Sequence, residues 1–167
     1  GIYTGLVSAQ EEGKTAWAQV ENQYQRRADL IPNLVETVKG YAQQEKTVLE
    51  EVTRLRSQWG EARQSGDINK SLQAAQGLDS ALSRLMVVVE RYPELKSNQN
   101  FMKLQDQLEG TENRISVERR RYNQVVLNYN RKIRTYPGAF IASFFGFERM
   151  PLFEAEAGAK KAPSVKF

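Results

Sequence analysis

The sequence predicts an all-α protein: an antiparallel up-and-down four-helix bundle with long helices and an irregular, phenylalanine-rich C-terminal segment. Three observations support this fold. Apolar residues recur at steps of three, four and seven over long stretches, which keeps one face of an α-helix apolar. Proline and glycine stand between those stretches, where they favour turns. Four amphipathic helices joined by short links bury their apolar faces best as a bundle.

The first two helices are expected at residues 3–29 and 32–63, separated by Pro32. Proline has no amide hydrogen, and its ring clashes with the carbonyl group of the residue four positions earlier, here Ala28. A helix that continued through Pro32 to residue 63 would be about 90 Å long, and no other segment could cover that length. We therefore expect a turn at Pro32, with Asp29 as the N-cap of the second helix.

The third and fourth helices are expected at residues 67–92 and 98–136. Gly66 can end the second helix in a left-handed conformation, and Asp67 can cap the third. Residues 93–98 form a linker that begins with a proline. A Pro-Gly pair stops the fourth helix, and the phenylalanine-rich segment, residues 139–153, follows it.

Four stretches of the chain resemble the LemA family of bacterial membrane-anchored helical proteins. They are QVENQYQRRADLIPNLVETVKGYA, ALSRLMVVVERYPELKSNQNF, LEGTENRISVERRRYN and YPGAFIASFFGFE, and the resemblance extends from about Tyr3 to Phe153. It implies a four-helix bundle preceded by a transmembrane helix or a lipid anchor. The chain itself has no run of 18 apolar residues. We expect that the N-terminal membrane anchor is missing from this chain, that residues 1–153 form a single helical-bundle domain, and that residues 154–167 form a flexible tail.

Composition argues against most kinds of catalysis. The chain has no histidine and no cysteine, so it lacks the usual general base, the commonest transition-metal ligand and any thiol nucleophile. Its net charge is +4. That mild basicity is compatible with an anionic membrane surface or an acidic partner and is a weak signal for nucleic acid.

Three carboxylates near the apolar stripes, Glu45, Asp79 and Glu112, form the strongest candidate for a metal site. Counting from the turns places Glu45 about 10 Å from the other two along the bundle axis. Asp79 and Glu112 can meet, but arginines lie close enough to pair with them: Arg84, Arg114 and Arg119. Oxygen-only sites need several converging ligands. We therefore expect no metal, no cofactor, no small-molecule substrate and no enzymatic activity.

The fourth helix is rich in arginine and lysine, but consecutive positions point about 100° apart, which disfavours a nucleic-acid stripe. In an up-and-down bundle, its second half and the phenylalanine-rich segment return to the end where the first helix begins. The candidate membrane-proximal residues are Arg131, Lys132, Arg134, Phe140, Phe144, Phe145 and Phe147. Two readings remain open, because these basic residues can form a solvated face and these phenylalanines can cap the core.

At the opposite end of the predicted bundle, residues 26–33 and 92–96 are expected to form two loops. Loops on a rigid scaffold often carry binding residues. The candidate partner-binding residues are Arg26, Arg27, Asp29, Pro32, Asn33, Tyr92 and Pro93. The alternative is that the arginine pair closes its turn by local hydrogen bonds.

Together these observations predict a non-enzymatic scaffold or adaptor, membrane-anchored at the bacterial cell envelope. Its partner would be an unidentified protein, with another membrane protein as one candidate, and no nucleic acid is expected. The alternative is a membrane-surface or lipid-interacting module that uses the basic second half of the fourth helix and the phenylalanine-rich segment.

Overall fold

The computed structural model describes residues 1–154, and in that range every regular element is a helix. The all-α prediction is therefore confirmed. The predicted tail lies outside the described residues, except for Glu154. The helices, numbered in chain order, are α1 (Ile2–Lys39), α2 (Lys46–Ser65), α3 (Ile68–Val89), α4 (Pro93–Lys96), α5 (Gln99–Arg134) and α6 (Gly138–Phe145).

The turn predicted at Pro32 is wrong, because α1 continues through that proline. Pro32 still deprives the carbonyl of Ala28 of its helical hydrogen bond. In the structure, Nε of Arg56 on α2 donates to this carbonyl at 2.9 Å. A neighbouring helix thus satisfies the acceptor that the proline leaves free. The first turn of the chain lies instead at residues 40–45, between α1 and α2.

The predicted junction between the second and third helices is confirmed. Gly66 has a φ of 73°, a left-handed conformation that glycine adopts without strain, and its amide donates to the carbonyl of Arg63. The side chain of Asp67 accepts a hydrogen bond from the amide of Lys70 and so caps α3.

The phenylalanine-rich segment is not wholly irregular as predicted, because Gly138–Phe145 form α6. A β-carbon at Gly138 would clash with the carbonyl of Lys132, so only glycine permits the close approach at the start of this helix. Gly146 then ends α6 with a φ of 75°. The linker after the third helix is likewise partly helical, since Pro93 is the first residue of α4.

The chain divides into two compact units, and α1 and α5 contribute residues to both. One comprises residues 15–120, and the other comprises residues 1–14 with the chain from residue 121 onward. In the first unit, cross-helix contacts show which helices are neighbours. Contacting pairs are Gln25 with Trp59, Ser71 with Ala62, and Asn100 with Thr37.

The contacts between α1 and α2 fit antiparallel neighbours. Between α1 and α2, Ala28 contacts Arg56 and Gln25 contacts Trp59, so residue numbers fall along one helix as they rise along the other. The core of this unit includes Trp59, which is 1% exposed and whose indole lies 5.4 Å from the ring of Tyr24. Burial of such aromatic side chains contributes strongly to helix packing.

Candidate functional site

The first group of predicted partner-binding residues lies inside α1, so its placement in a loop is wrong. Arg26, Asp29, Pro32 and Asn33 are exposed on that helix. Arg27 is only 1% exposed, so its side chain is not available at the surface. A role for the other residues in binding a partner stays a prediction.

The guanidinium group of Arg27 joins α1 to α3 and α5. Its Nη1 donates hydrogen bonds to Oδ1 of Asp79 and, at 2.9 Å, to Oε1 of Glu112. Its Nη2 donates to the carbonyl of Ala75 at 3.4 Å, and its Cζ lies 5.0 Å from the ring centroid of Tyr24. A buried cation needs hydrogen-bonding and charged partners, and Arg27 has them inside the helical core.

Burial and charge in this cluster shift two pKa values. Burial alone would lower the pKa of Arg27, but the charges of Asp79 and Glu112 outweigh that effect and raise it. Burial raises the pKa of Tyr24 to about 12, and the charge of Asp79 contributes to the rise. At neutral pH the cluster therefore contains a charged arginine and a neutral tyrosine.

From the sequence we predicted that Asp79 and Glu112 can lie close together, but we did not identify Arg27 as their shared partner. Arg84, one of the expected partners, forms an ion pair with Glu51 instead. Glu45 belongs to a separate cluster, in which it accepts a hydrogen bond from the hydroxyl of Tyr92. Within residues 1–154, no three acidic, histidine or cysteine side chains are grouped as metal ligands.

The second group of predicted partner-binding residues, Tyr92 and Pro93, lies beside the turn at residues 40–45. The hydroxyl of Tyr92 donates to Oε1 of Glu45 at 3.2 Å and accepts from Nε2 of Gln44 at 2.7 Å. Pro93 is exposed at the start of α4. The segment that faces Tyr92 is therefore this turn, which the sequence placed inside a helix.

A groove of about 400 Å³ runs between α1 and α5 and includes two of the predicted partner-binding residues. Its lining contains both charge signs, an apolar side chain and a glycine that leaves open space. The lining residues are Arg26, Asp29, Leu30, Gln107, Gly110, Thr111 and Arg114. We call it the α1–α5 groove.

The second compact unit carries an exposed aromatic cluster, which we call the aromatic end. The ring of Tyr3, near the start of α1, lies 4.6 Å from that of Phe145 and 6.0 Å from that of Phe147. Phe140 and Phe144 on α6 are 69% and 76% exposed. The remaining members are Tyr136 and Phe145, which are exposed, and Phe147, which is half-buried.

Three basic residues predicted to be membrane-proximal, Arg131, Lys132 and Arg134, lie in the last turn of α5 and are exposed. Lys132 and Tyr136 line a small groove together with Ile2 from the start of α1. The basic turn therefore adjoins the aromatic end, and their role at a membrane stays a prediction.

Sequence reasoning missed how the extended segment 148–153 is held against α5. The side chains of Asn123 and Asn130 each form two hydrogen bonds with backbone groups, to Phe153 and Met150 respectively, at 2.9–3.0 Å. Two tyrosine hydroxyls donate to carbonyls of the same segment. These donors are Tyr122, to Pro151, and Tyr129, to Glu148, each at 2.7 Å.

We call these four residues the Tyr–Asn ladder. Its signal in the sequence is the dipeptide Tyr-Asn repeated after seven residues, at 122–123 and 129–130. That spacing places both copies on one face of a helix. All six hydrogen bonds go to backbone atoms of the segment. The side chains of Met150 and Phe153 are also buried, and the ring of Phe153 lies 5.5 Å from that of Tyr122.

Comparison with known proteins gives consistent matches. The profile of the LemA family matches residues 16–167. Magnetosome protein MamQ 2 of Paramagnetospirillum magneticum is 27% identical over 91% of this chain and 64% of its own length. Magnetosome protein MamQ of Magnetospirillum gryphiswaldense is 27% identical over 93% and 66%, and protein LemA of Metamycoplasma hominis is 23% identical over 92% and 71%.

The chain thus spans less than two thirds of the length of the magnetosome relatives that it matches. Among the helices of residues 1–154, none has a stretch that is long and apolar enough to cross a membrane.

Proposed function

This chain belongs to the LemA family, and from that premise we propose that it is a membrane-associated, non-enzymatic helical scaffold or adaptor of the bacterial envelope. The observation that carries the proposal is the aromatic end beside the basic last turn of α5.

The exposure of the aromatic end supports contact with lipid. Tyr136, Phe140 and Phe144 are 87%, 69% and 76% exposed, and large exposed aromatic side chains in a cluster mark an interaction surface. Aromatic rings partition into the interfacial region of a bilayer. An N-terminal anchor of the kind that the family resemblance implies would join α1 next to Tyr3, and so next to this cluster.

Charge supports the same surface. Arg131, Lys132 and Arg134 are exposed beside the aromatic end, and each basic residue near an anionic bilayer contributes about 1 kcal/mol of attraction. Aromatic insertion and basic attraction together would orient the protein at a membrane more firmly than an anchor alone.

Within residues 15–120, we propose that α1, α2, α3 and α5 form an up-and-down four-helix bundle. The antiparallel contacts between α1 and α2, and the contact of Asn100 with Thr37, support this arrangement. A rigid bundle suits a scaffold, because it holds its surface side chains in fixed relative positions.

Flotation with liposomes tests the membrane contact. We expect this chain to float with anionic vesicles at low salt, to float less at high salt, and to float poorly with neutral vesicles. Changing Phe140 and Phe144 together to alanine should abolish flotation. The matched control changes Val87 and Met102, two exposed apolar residues of α3 and α5, to alanine. Flotation that depends neither on the salt concentration nor on the phenylalanine substitutions would refute lipid contact.

A second candidate function is an adaptor that binds a protein through the α1–α5 groove. The groove supports it because Arg26, Asp29 and Arg114 present charges of both signs around an apolar Leu30. Photocrosslinkers placed at Arg26 and Asp29 should label one recurrent membrane protein, whereas one at the exposed Glu61 of α2 should not. Equal labelling from all three positions would remove this function.

A further inference from the structure

A second groove, of about 500 Å³, opens between α3 and α5 in the unit of residues 15–120. Leu82 and Leu108 form an apolar floor and are nearly buried, at 8% and 7% exposure. We call it the α3–α5 groove. Its lining includes no residue of the aromatic end and none of the residues that the sequence singled out for partner binding.

One end of the α3–α5 groove is acidic. Asp79, Glu109 and Glu112 line it, and none of its described lining residues is basic. Arg27 pairs with Asp79 and Glu112 from beneath, so its single positive charge offsets one of three negative charges. The side chains of Asp79 and Glu112 remain 37% and 53% exposed, which leaves carboxylate oxygens open to a cation from outside.

The other end of the groove is apolar. Met86 lines it on α3. An exposed side chain extends the lining by helical spacing: Met102, three residues before the groove residue Gln105. Met102 is 49% exposed. Methionine side chains adapt to varied apolar partners, which suits a docking surface.

We propose that the α3–α5 groove docks an amphipathic helix of a protein partner, with its apolar stripe over the leucine floor and a lysine or arginine at the acidic end. Charge complementarity determines this choice, because the acidic rim repels an anionic lipid surface and attracts a basic side chain. A trough between two helices with apolar floor and charged rim matches the helix-in-groove mode of recognition. The proposal is independent of the membrane contact, and it can be tested with the protein in solution.

The absence of cysteine from the chain allows a clean test with a single fluorophore. Ser83 lines the groove, whereas Ser80 is exposed on α3 outside it. We would label Ser83→Cys and Ser80→Cys with an environment-sensitive dye and titrate each with a synthetic amphipathic leucine–lysine peptide. A leucine–glutamate peptide of equal length serves as the second probe.

We expect the lysine peptide to change the emission of the label at position 83 and not at position 80, and the glutamate peptide to change neither. Glu109→Lys should weaken binding about tenfold or more, whereas Asp106→Lys, the same charge change outside the groove, should have little effect. Met86→Ser, which leaves the charge of the groove unchanged, should also weaken binding by removing apolar contact.

Three outcomes would overturn the proposal. If both lysine substitutions weaken binding equally, the peptide adsorbs by general charge. If the glutamate peptide binds as well as the lysine peptide, charge complementarity does not select the partner. If the emission of the label at position 83 changes with protein concentration in the absence of peptide, the groove binds a second copy of this chain instead.

Discussion

At the scale of single residues, Arg27 is the side chain that joins three helices by hydrogen bonds and ion pairs. We expect Arg27→Met to lower the free energy of unfolding by about 3 kcal/mol, because it removes the cation shared by Asp79 and Glu112 and leaves their negative charges together. The exposure of the two carboxylates places this value at the lower end of the range for buried pairs. Urea unfolding followed by circular dichroism measures it.

The neighbouring Arg26 provides the control, because it is exposed on the same helix. Arg26→Met should change the free energy of unfolding by no more than about 0.5 kcal/mol. Equal losses from both substitutions would show that Arg27 contributes no more than surface charge. Arg27→Lys should recover only part of the stability, since an ammonium group cannot reproduce the forked contacts of guanidinium.

At the scale of secondary-structure elements, the continuity of α1 depends on a contact with α2. Pro32 frees the carbonyl of Ala28, and Arg56 donates to it at 2.9 Å. We expect Arg56→Met to cost about 1–3 kcal/mol, because it leaves a partly buried acceptor without a partner. The same change in a Pro32→Ala background should cost less, since the amide at position 32 can then bond to Ala28.

A double-mutant cycle in chemical denaturation measures this coupling. A cost of Arg56→Met that is clearly smaller in the Pro32→Ala background than in the original chain would support the compensation. Additive effects would contradict it and would mean that Arg56 stabilises α2 by other contacts.

The same contact explains where prediction from sequence succeeded and where it failed. The apolar stripes, Gly66 and Asp67 are local signals, and they correctly predicted an all-α chain and the junction between α2 and α3. The rule that proline ends a helix is also local, but Arg56 satisfies the freed carbonyl from 28 residues away. No local pattern in the sequence identifies that partner.

Because the first turn was predicted at the wrong residues, much of the candidate site was also predicted wrongly. With the turn at Pro32, Arg27 was expected in a loop and Glu45 inside a helix stripe. Moving the turn to residues 40–45 brings Arg27 level with Asp79 and Glu112, and Glu45 beside Tyr92. The residue types were informative, but their partners follow from the register of the helices, which the sequence left open.

The segment 148–153 offers a second prediction at this scale. The amide of Met150 donates to Asn130, so Asn130→Ala should release it and accelerate its hydrogen exchange by about tenfold or more. Asn128→Ala, an exposed asparagine of the same helix, is the matched control. Unchanged exchange at Met150 in Asn130→Ala would show that the ladder does not hold the segment.

At the scale of the whole molecule, the absence of histidine determines how stability responds to pH. No side chain in the chain has an ordinary pKa between about pH 5 and pH 8, so the free energy of unfolding should be nearly constant there. The buried tyrosines control the alkaline side, because burial raises the pKa of Tyr24, Tyr122 and Tyr129.

For Tyr24 the pKa rises from an ordinary 10.0 to about 12 on folding, so the folded protein retains a proton that the unfolded chain loses in that interval. Stability is therefore fully present below pH 10 and falls as the pH rises towards 12, by roughly 2–3 kcal/mol from this residue. Tyr24→Phe should flatten that part of the curve, measured as urea unfolding against pH. An equally steep fall in Tyr24→Phe would show that Tyr24 ionises as easily in the core as in the unfolded chain.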